Sequence, residues 1–240
     1  VGTLPASFAE EARNAARATG TMGWLGGQTA SVATMDATKI YPLHPTLLPP
    51  LVRFFARFGQ NERSLFGFLL SNEPYGLQAF SEVTALGECW YSVSDLYDYV
   101  RANFGHRLAG HSYQNQWLRI LNTVNAHRDL PDLQVRLLKA IGLLNLLDSD
   151  DLLPTTAALR ACFSWLPEAS IRDALGQLLS SGILFDRGPR TGFRLWPNTS
   201  VNLGSAYQNA LRAIGPIDDV ASNMAALLPG QTLLARRHYL

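Results

Sequence analysis

"SIRDALGQLLSSGILFDRGPRTGFRLW", residues 170–196, decides how the rest of the chain is interpreted. Its first half repeats apolar residues at the spacing of one helix face, and Ser170 and Asp173 are predicted to cap that helix. Gly182 is typical of the left-handed residue that ends a helix. The apolar positions are Ile171, Ala174, Leu175, Leu178 and Leu179.

After Gly182 the pattern changes from helix to strand. Residues 183–185, "ILF", are β-prone, and "DRGPRTG" over residues 186–192 is rich in turn residues. In "FRLW", residues 193–196, large apolar side chains alternate with other side chains. The stretch therefore predicts a helix followed directly by a β-hairpin. This is the order of the recognition helix and wing in winged-helix proteins.

Two helices before this stretch complete a three-helix set. Apolar residues repeat at helical spacing from Asp132 onward, and Pro154 with Thr155 is predicted to begin a shorter helix. The predicted apolar stripe of the first helix comprises Leu133, Leu137, Ala140, Ile141 and Leu144. Its predicted solvent side comprises Asp132, Arg136, Lys139 and Asn145. The predicted buried side of the second helix comprises Leu159, Cys162 and Phe163. Residues 131–200 are therefore predicted to form a winged helix-turn-helix domain.

The remaining ranges are predicted from their helical patterns. Residues 41–130 predict a helical, lid-like bundle, residues 1–40 a helix and a flexible linker, and residues 201–240 a helical tail leading to a further domain. The predicted fold class is mainly α, with the lid-like bundle followed by a winged helix that carries a small β-hairpin.

Two signals support the bundle. One helix is predicted to end at Gly59 and the next to begin near Asn61, and Ser92 with Asp95 forms an S-x-x-D cap before another helix. The residues predicted to be buried on the helix after Asn61 are Leu65, Phe66 and Leu69.

Composition limits the class of protein. The chain has 240 residues, is 47% hydrophobic and has a formal net charge of +1, so it can build a sizeable core but has no overall basic charge for nucleic acid. Cys89 and Cys162 lie in apolar helical patterns and are predicted to be small buried thiols in a reducing compartment. No apolar run approaches the roughly 20 residues that cross a bilayer. A cytoplasmic protein without a membrane partner is expected.

The search for enzyme motifs is negative. The chain has no phosphate-loop G-x-x-x-x-G-K-[ST], no G-x-S-x-G, no H-E-x-x-H and no C-x-x-C. No metal site is predicted, and no complete catalytic centre.

The winged-helix interpretation raises a nucleic-acid hypothesis. Base readout needs matching side chains on the exposed face of the recognition helix, and phosphates need nearby Arg or Lys. Arg172 and Gln177 lie on that face, whose charges sum to zero, while Arg187, Arg190 and Arg194 lie together on the wing. Contact with the backbone of DNA or RNA is one interpretation, and solvated turn residues are the other.

A second candidate site is the junction "GQNERSLF", residues 59–66. Arg63 lies at the start of a helix whose partner ends at Gly59, where an exposed guanidinium could reach a nucleotide phosphate on a neighbouring domain. The alternative is an ion pair with Glu62 or a cap contact.

Two segments resemble a known family. "YPLHPTLLPPLVRFFARFGQNERSLFGFLLS", residues 41–71, is similar to the segment after the nucleotide-binding core in large bacterial P-loop ATPases of the AAA+/STAND type, several of them linked to anti-phage defence. In that family a "PLHP" segment leads into a helical lid with a Q-N-E-R motif. "GFRLWPNTSVNL", residues 192–203, and "LLARRHYL", residues 233–240, resemble the end of the winged helix and the start of the next domain.

The resemblance implies a function for the whole chain. It would be the regulatory lid and winged-helix region of a multidomain ATPase, cut from a longer polypeptide whose upstream domain binds ATP and Mg and carries the phosphate loop. Gln60, Asn61, Glu62 and Arg63 would then lie near the nucleotide, with Arg63 as the catalytic phosphate sensor. The segment alone would be inactive.

Further partners follow from the same resemblance. The region would relay nucleotide state to a partner or to nucleic acid, in bacterial antiviral defence, and self-association into a homo-oligomer is a further expectation. The alternative is a stand-alone winged-helix regulator of transcription that binds DNA.

Overall fold

Helices account for most of the described structure. The computed structural model describes residues 4–25, 36–59, 62–110, 113–189, 191–195 and 203–214, with the backbone alone for residues 62, 63, 203–206 and 214. Residues 1–199 form one compact unit and residues 200–240 another. The predicted fold class is confirmed at the level of a mainly helical chain with a small two-stranded antiparallel hairpin.

The elements follow one another in this order: α1 (Ala6–Thr21), 3-10 helices at Ala37–Ile40 and Pro45–Leu47, α2 (Leu48–Phe58), α3 (Glu62–Leu70), α4 (Leu77–Val83), α5 (Val93–Ala109), α6 (Gln114–Ala126), α7 (Asp132–Leu147), α8 (Thr156–Cys162), α9 (Glu168–Ser180), β1 (Leu184–Asp186), β2 (Phe193–Leu195) and α10 (Leu203–Ile214). The structure therefore places a helix in each range where the sequence predicts one within the described residues 41–130.

Helix α2 begins with prolines in its first turn, where the missing N–H is not needed, and Gly59 follows its last residue. Phe54 and Phe55 lie on its buried face, in edge-to-face contact with Phe104 of α5 at ring-centroid distances of 5.0 and 6.0 Å. The side of α2 that carries Arg53 is exposed.

Helix α3 corrects one predicted core residue. Phe66 is 54% exposed, whereas Phe68 is fully buried and packs against Tyr91 and Tyr99 at 5.5 and 4.9 Å. Positions two apart on a helix face different sides, so the register of α3 can bury only one of the two rings. The predicted cap at Asn61 lies outside the described residues.

Helix α5 begins with the predicted cap. The backbone N–H of Ser92 donates to Asp95 Oδ2 at 2.7 Å, which completes a capping box.

Helix α7 is the central element, packed against α2, α5, α6, α9 and β2. The prediction of a one-sided helix is wrong in its second half, because every residue from 140 to 147 is buried. Asn145 is only 6% exposed and Lys139 forms an ion pair with Asp98 of α5 at 2.7 Å, so neither is a free solvent-facing residue.

Helices α8 and α9 bear out the predicted second and third helices. Thr155 caps α8 through a hydrogen bond from the Ala158 N–H at 3.2 Å. Helix α9 begins at Glu168 after Pro167, so Ser170 lies inside its first turn and is not the cap. Pro167 needs no N–H partner, and the Glu168 carboxylate is favourable near the positive end of the helix dipole.

The end of α9 leads directly into the hairpin. Gly182 has φ of 72°, and the N–H groups of Gly182 and Ile183 donate to the carbonyls of Leu179 and Leu178 at 3.0 and 3.1 Å. These are the two hydrogen bonds of a Schellman motif, in which glycine takes the left-handed position. The strands pair antiparallel in the register Leu184↔Leu195, Phe185↔Arg194, Asp186↔Phe193.

A single hydrophobic cluster extends from Trp24 to Phe193 and crosses the predicted boundary near residue 130. The division into domains stays a prediction. Cys162 is buried as predicted, but Cys89 is exposed, in the segment between α4 and α5. Helix α4 ends at Val83 and α5 begins at Val93, so the predicted helical position of Cys89 is wrong.

Candidate functional site

Asn145 holds the hairpin onto α7. Its side-chain amide donates to the Phe193 carbonyl at 3.0 Å, and its oxygen accepts from the Leu195 N–H at 3.1 Å. The side chain therefore takes the place of a neighbouring strand for β2. A buried amide with both groups paired fixes the position of the strand on the helix.

The segment before α8 holds the beginning of the same strand. The Phe193 N–H donates to the Pro154 carbonyl at 2.9 Å, and a Cβ at Gly192 would lie 2.7 Å from that oxygen. Gly192 has φ of 69°. Only glycine meets both the close approach and the backbone angle without strain.

Arg57 of α2 holds the C-terminal end of α7. Its guanidinium donates to the Leu147 carbonyl and lies 4.8 Å from the centre of the Tyr113 ring. A cation at a helix C-terminus is favourable because the last carbonyls lack partners and carry partial negative charge.

The acidic turn, residues 148–151, joins α2 to the hairpin. Arg53 of α2 pairs with Asp151 at 2.7 Å, and Arg194 of β2 pairs with Asp148 at 2.5 Å. Both pairs are partly exposed, so each contributes little by itself. Their importance is geometric, because α2, the end of α7 and β2 meet at one turn.

Three of the predicted nucleic-acid residues have side-chain partners within the described part of the chain. Arg172 lies 3.8 Å from Asp173, Gln177 accepts a hydrogen bond from Gln134, and Arg194 is paired with Asp148. Arg187 is exposed and has no ion pair among the described residues. Arg190 lies outside the described residues.

The predicted nucleotide-binding residues lie at the start of α3. Glu62 and Arg63 occupy its first turn, where their side chains are not described, and Gln60 and Asn61 lie outside the described residues. A helix N-terminus directs unpaired N–H groups outward, which suits a phosphate group.

A buried histidine is a feature that sequence reasoning missed. His44 is fully buried, with Nδ1 2.7 Å from Thr46 Oγ1 and Nε2 3.3 Å from Ser164 Oγ. Burial lowers the pKa of His44 to about 3. The histidine follows Leu43 in the proline-punctuated "PLHP", and that local pattern alone gives no sign of a partner more than a hundred residues away.

This network borders a cavity of about 410 Å³ between α1, α8 and α9, which Ser164 lines. Ser164 also donates to Glu11 Oε1 at 3.1 Å. These hydrogen bonds join the segment before α2 to α1 and to the segment between α8 and α9.

Among the described residues, no group of three or more His, Cys, Asp or Glu side chains could hold a metal ion. No helix within them is both long and apolar enough to cross a bilayer. Comparison of the chain with protein-family models, curated proteins and solved structures finds no match in any of the three.

Proposed function

We propose that this chain is the regulatory lid and winged-helix region of a multidomain P-loop ATPase of the AAA+/STAND type, and that it relays nucleotide state to its hairpin. One observation supports this proposal above the others: the hairpin is hydrogen-bonded to α7 through Asn145, and the end of α7 is held by Arg57 of α2. Helix α2 leads into the junction that carries Arg63. A packed path thus connects the junction to the hairpin.

The order of elements supports the winged-helix part. Helices α7, α8 and α9 precede a two-stranded hairpin, and residues 181–183, with Gly182 in the left-handed conformation, are the whole connection from α9 to β1. A rigid hairpin on a rigid helix is suited to transmitting a displacement, because packed elements shift as units.

The ion pairs of the arginines favour a relay over sequence-specific recognition of DNA. Arg172 and Arg194 are both engaged with carboxylates, and α9 also carries Glu168 in its first turn. A recognition helix needs free donors toward base edges. The alternative, a stand-alone transcriptional regulator that binds DNA through its wing, is supported only by the exposed Arg187.

ATP and Mg belong to the upstream domain in this proposal. The part that this chain would contribute is the first turn of α3, with its outward N–H groups and Arg63 for a phosphate. In this proposal Arg63 would supply a cation near the transferred phosphoryl group, the role that an arginine has in other phosphoryl-transfer sites. The role in bacterial antiviral defence is proposed from the family resemblance alone.

The experiment is ATP turnover by the longer polypeptide that carries the upstream domain. Arg63→Ala is expected to lower kcat by at least about tenfold, because the contact would act on charge that develops in the transition state. Arg17→Ala, an exposed arginine on α1, is the matched control and should leave kcat unchanged. Equal kcat for Arg63→Ala and the unmodified protein, with an unchanged melting temperature, would contradict the sensor role.

A further inference from the structure

The near-zero net charge of the chain hides two oppositely charged segments. Residues 64–100 contain five acidic side chains and neither Lys nor Arg, whereas residues 101–128 contain four Arg, three His and neither Asp nor Glu. The acidic residues of the first segment are Glu73, Glu82, Glu88, Asp95 and Asp98, and the arginines of the second are Arg101, Arg107, Arg119 and Arg128.

The structure places the second segment on one pair of helices. It covers the second half of α5 and all of α6, which pack against each other. Trp117 of α6 lies 5.8 Å from the Tyr97 ring of α5, and the inward face of α6 continues with Ile120 and Val124. The residues on its other face, including Asn115, Arg119 and Asn122, are exposed. We call the exposed polar side chains of described residues 101–128 the basic surface.

The arginines of the basic surface are not neutralised by carboxylates. Among the described residues, Arg107, Arg119 and Arg128 have no ion pair: Arg107 lies over the Phe104 ring at 5.4 Å, and Arg128 donates to the Asn125 amide oxygen at 2.7 Å.

The remaining arginine has a weak carboxylate contact. Arg101 lies 3.9 Å from Asp98, whose other oxygen is held by Lys139 at 2.7 Å. Arg53 of α2 and Arg136 of α7, by contrast, each have a carboxylate at 2.7 Å. The cations of the basic surface are therefore available to a ligand.

We propose that the basic surface binds the phosphodiester backbone of a nucleic acid. Arginines and amide side chains such as Asn115 and Asn122 are the usual donors to phosphate and sugar oxygens. Helix α6 is about 20 Å long at 1.5 Å per residue, so it can follow several phosphates of one strand. In the sequence, the acidic residues that flank residues 101–128 are Asp98, which is engaged by Lys139, and Asp129.

The apolar residues of the molecule oppose a membrane ligand for this surface. Among the described residues, the large exposed apolar side chains are Val52, Phe66, Leu70, Tyr75, Val83, Leu86, Phe185, Tyr207 and Leu211, none of them within residues 101–128. A helix that lies on a lipid surface inserts an exposed apolar face, which α6 lacks. The phosphates of a nucleic acid therefore fit the basic surface better than lipid headgroups.

The test is a salt titration of oligonucleotide binding by the 240-residue chain, followed by fluorescence anisotropy without added nucleotide. The variant is Arg107→Gln, Arg119→Gln and Arg128→Gln together. The control removes the same charge from three exposed arginines elsewhere, Arg13→Gln, Arg17→Gln and Arg212→Gln. Labelled duplex DNA, single-stranded DNA and single-stranded RNA distinguish the kinds of strand.

The unmodified chain is expected to bind at least one oligonucleotide with an affinity that falls as salt rises. The variant should lose at least about tenfold in affinity at low salt, and the slope of log K against log salt should fall by about 2 to 3, because each lost phosphate contact removes about 0.7 to 0.9. The control triple should stay within about threefold, and a lysine triple at positions 107, 119 and 128 should retain binding because the charge is kept.

Three results would overturn the proposal: no oligonucleotide binding by the unmodified chain, equal loss in both glutamine triples, or binding only to vesicles that contain anionic lipid. Helical circular dichroism of each variant shows that it is folded, and the lysine triple tests the charge in any case where the glutamine triple unfolds. The proposal does not depend on the ATPase assignment. Loss of oligonucleotide binding and loss of ATP turnover are separate readouts, at the basic surface and at Arg63.

Discussion

Arg194 of the hairpin and the arginines of the α5–α6 pair are used in opposite ways. At the hairpin, Arg194 is paired with Asp148, and the neighbouring polar groups are satisfied by Asn145. Arg107 of α5, Arg119 of α6 and Arg128, just after α6, are exposed and have no ion pair among the described residues. An arginine beside a carboxylate is therefore part of the fold, while an exposed one without a carboxylate is free to bind. Neighbouring carboxylates, and not the number of arginines, decide whether an arginine can bind a ligand.

The largest expected effect concerns Asn145, which holds the hairpin on α7. Asn145→Ala leaves the Phe193 carbonyl and the Leu195 N–H without their partner in a buried place, so the free energy of unfolding should fall by about 2 to 4 kcal/mol. Urea denaturation measures it. Asn122→Ala, at an exposed position of α6, should change it by less than about 0.5 kcal/mol. Similar losses at both positions would show that Asn145 does not hold the strand.

Two helical glycines give the next contrast. A Cβ at Gly142 of α7 would lie 2.6 Å from Ile120 Cγ2 and 3.3 Å from Leu195 Cδ1, so Gly142→Ala should destabilise the fold by about 1 to 3 kcal/mol. A Cβ at Gly176 of α9 meets nothing within 4 Å, so Gly176→Ala should stabilise it by about 0.5 to 1 kcal/mol through helix propensity. Melting temperatures of the two variants should therefore move in opposite directions. A shift of the same sign in both would rule out the close packing of α6 and β2 on α7 at Gly142.

The pH dependence tests the buried network. Folded His44 stays neutral because burial lowers its pKa to about 3, whereas in the unfolded chain it takes up a proton near pH 6.5. The unfolded state then binds more protons, so stability decreases as pH falls below about 6.5. Between pH 6.5 and 5, protonation of His44 in the unfolded chain should lower the free energy of unfolding by about 1 to 2 kcal/mol. The His44→Gln variant should lack this decrease. An identical pH slope in both proteins would mean that His44 is solvated.

The smallest expected effect separates two arginines of α2. Arg57→Met removes the hydrogen bond to the Leu147 carbonyl and the contact with the Tyr113 ring, and should cost about 1 kcal/mol. Arg53→Met removes an exposed ion pair with Asp151 and should cost about 0 to 0.5 kcal/mol. Chemical denaturation of the two variants in parallel measures the difference. A larger loss for Arg53→Met would place the connection to α7 in the acidic turn and not at the helix end.

Local signals predict the parts of the fold that depend on near neighbours. The glycine at position 182, the threonine cap at 155 and the Ser92–Asp95 box all act within a few residues, and the structure contains each of them. The α9 start is displaced because Pro167 and Glu168 together begin the helix earlier than Ser170 would. Helix ends are decided by several competing caps, so their position is harder to predict than the helix itself.

Partners distant in sequence could not be predicted. Asn145 has the spacing of a solvent-facing residue, and only the arrival of β2 some fifty residues later makes it the link to the hairpin. The same limit applies to Arg194, which a sequence shows as a wing cation and the structure pairs with Asp148. The basic surface was missed for the opposite reason, since net charge averages over acidic and basic segments.

The relay is tested most directly by amide hydrogen exchange of residues 184–195 in the longer polypeptide, with and without a non-hydrolysable ATP analogue. If the junction and the hairpin are coupled through α2 and α7, the analogue will change protection in the hairpin peptides, and Asn145→Ala will abolish that change. Identical exchange of the hairpin peptides in both conditions, while the nucleotide domain shows saturation with the analogue, would contradict the relay.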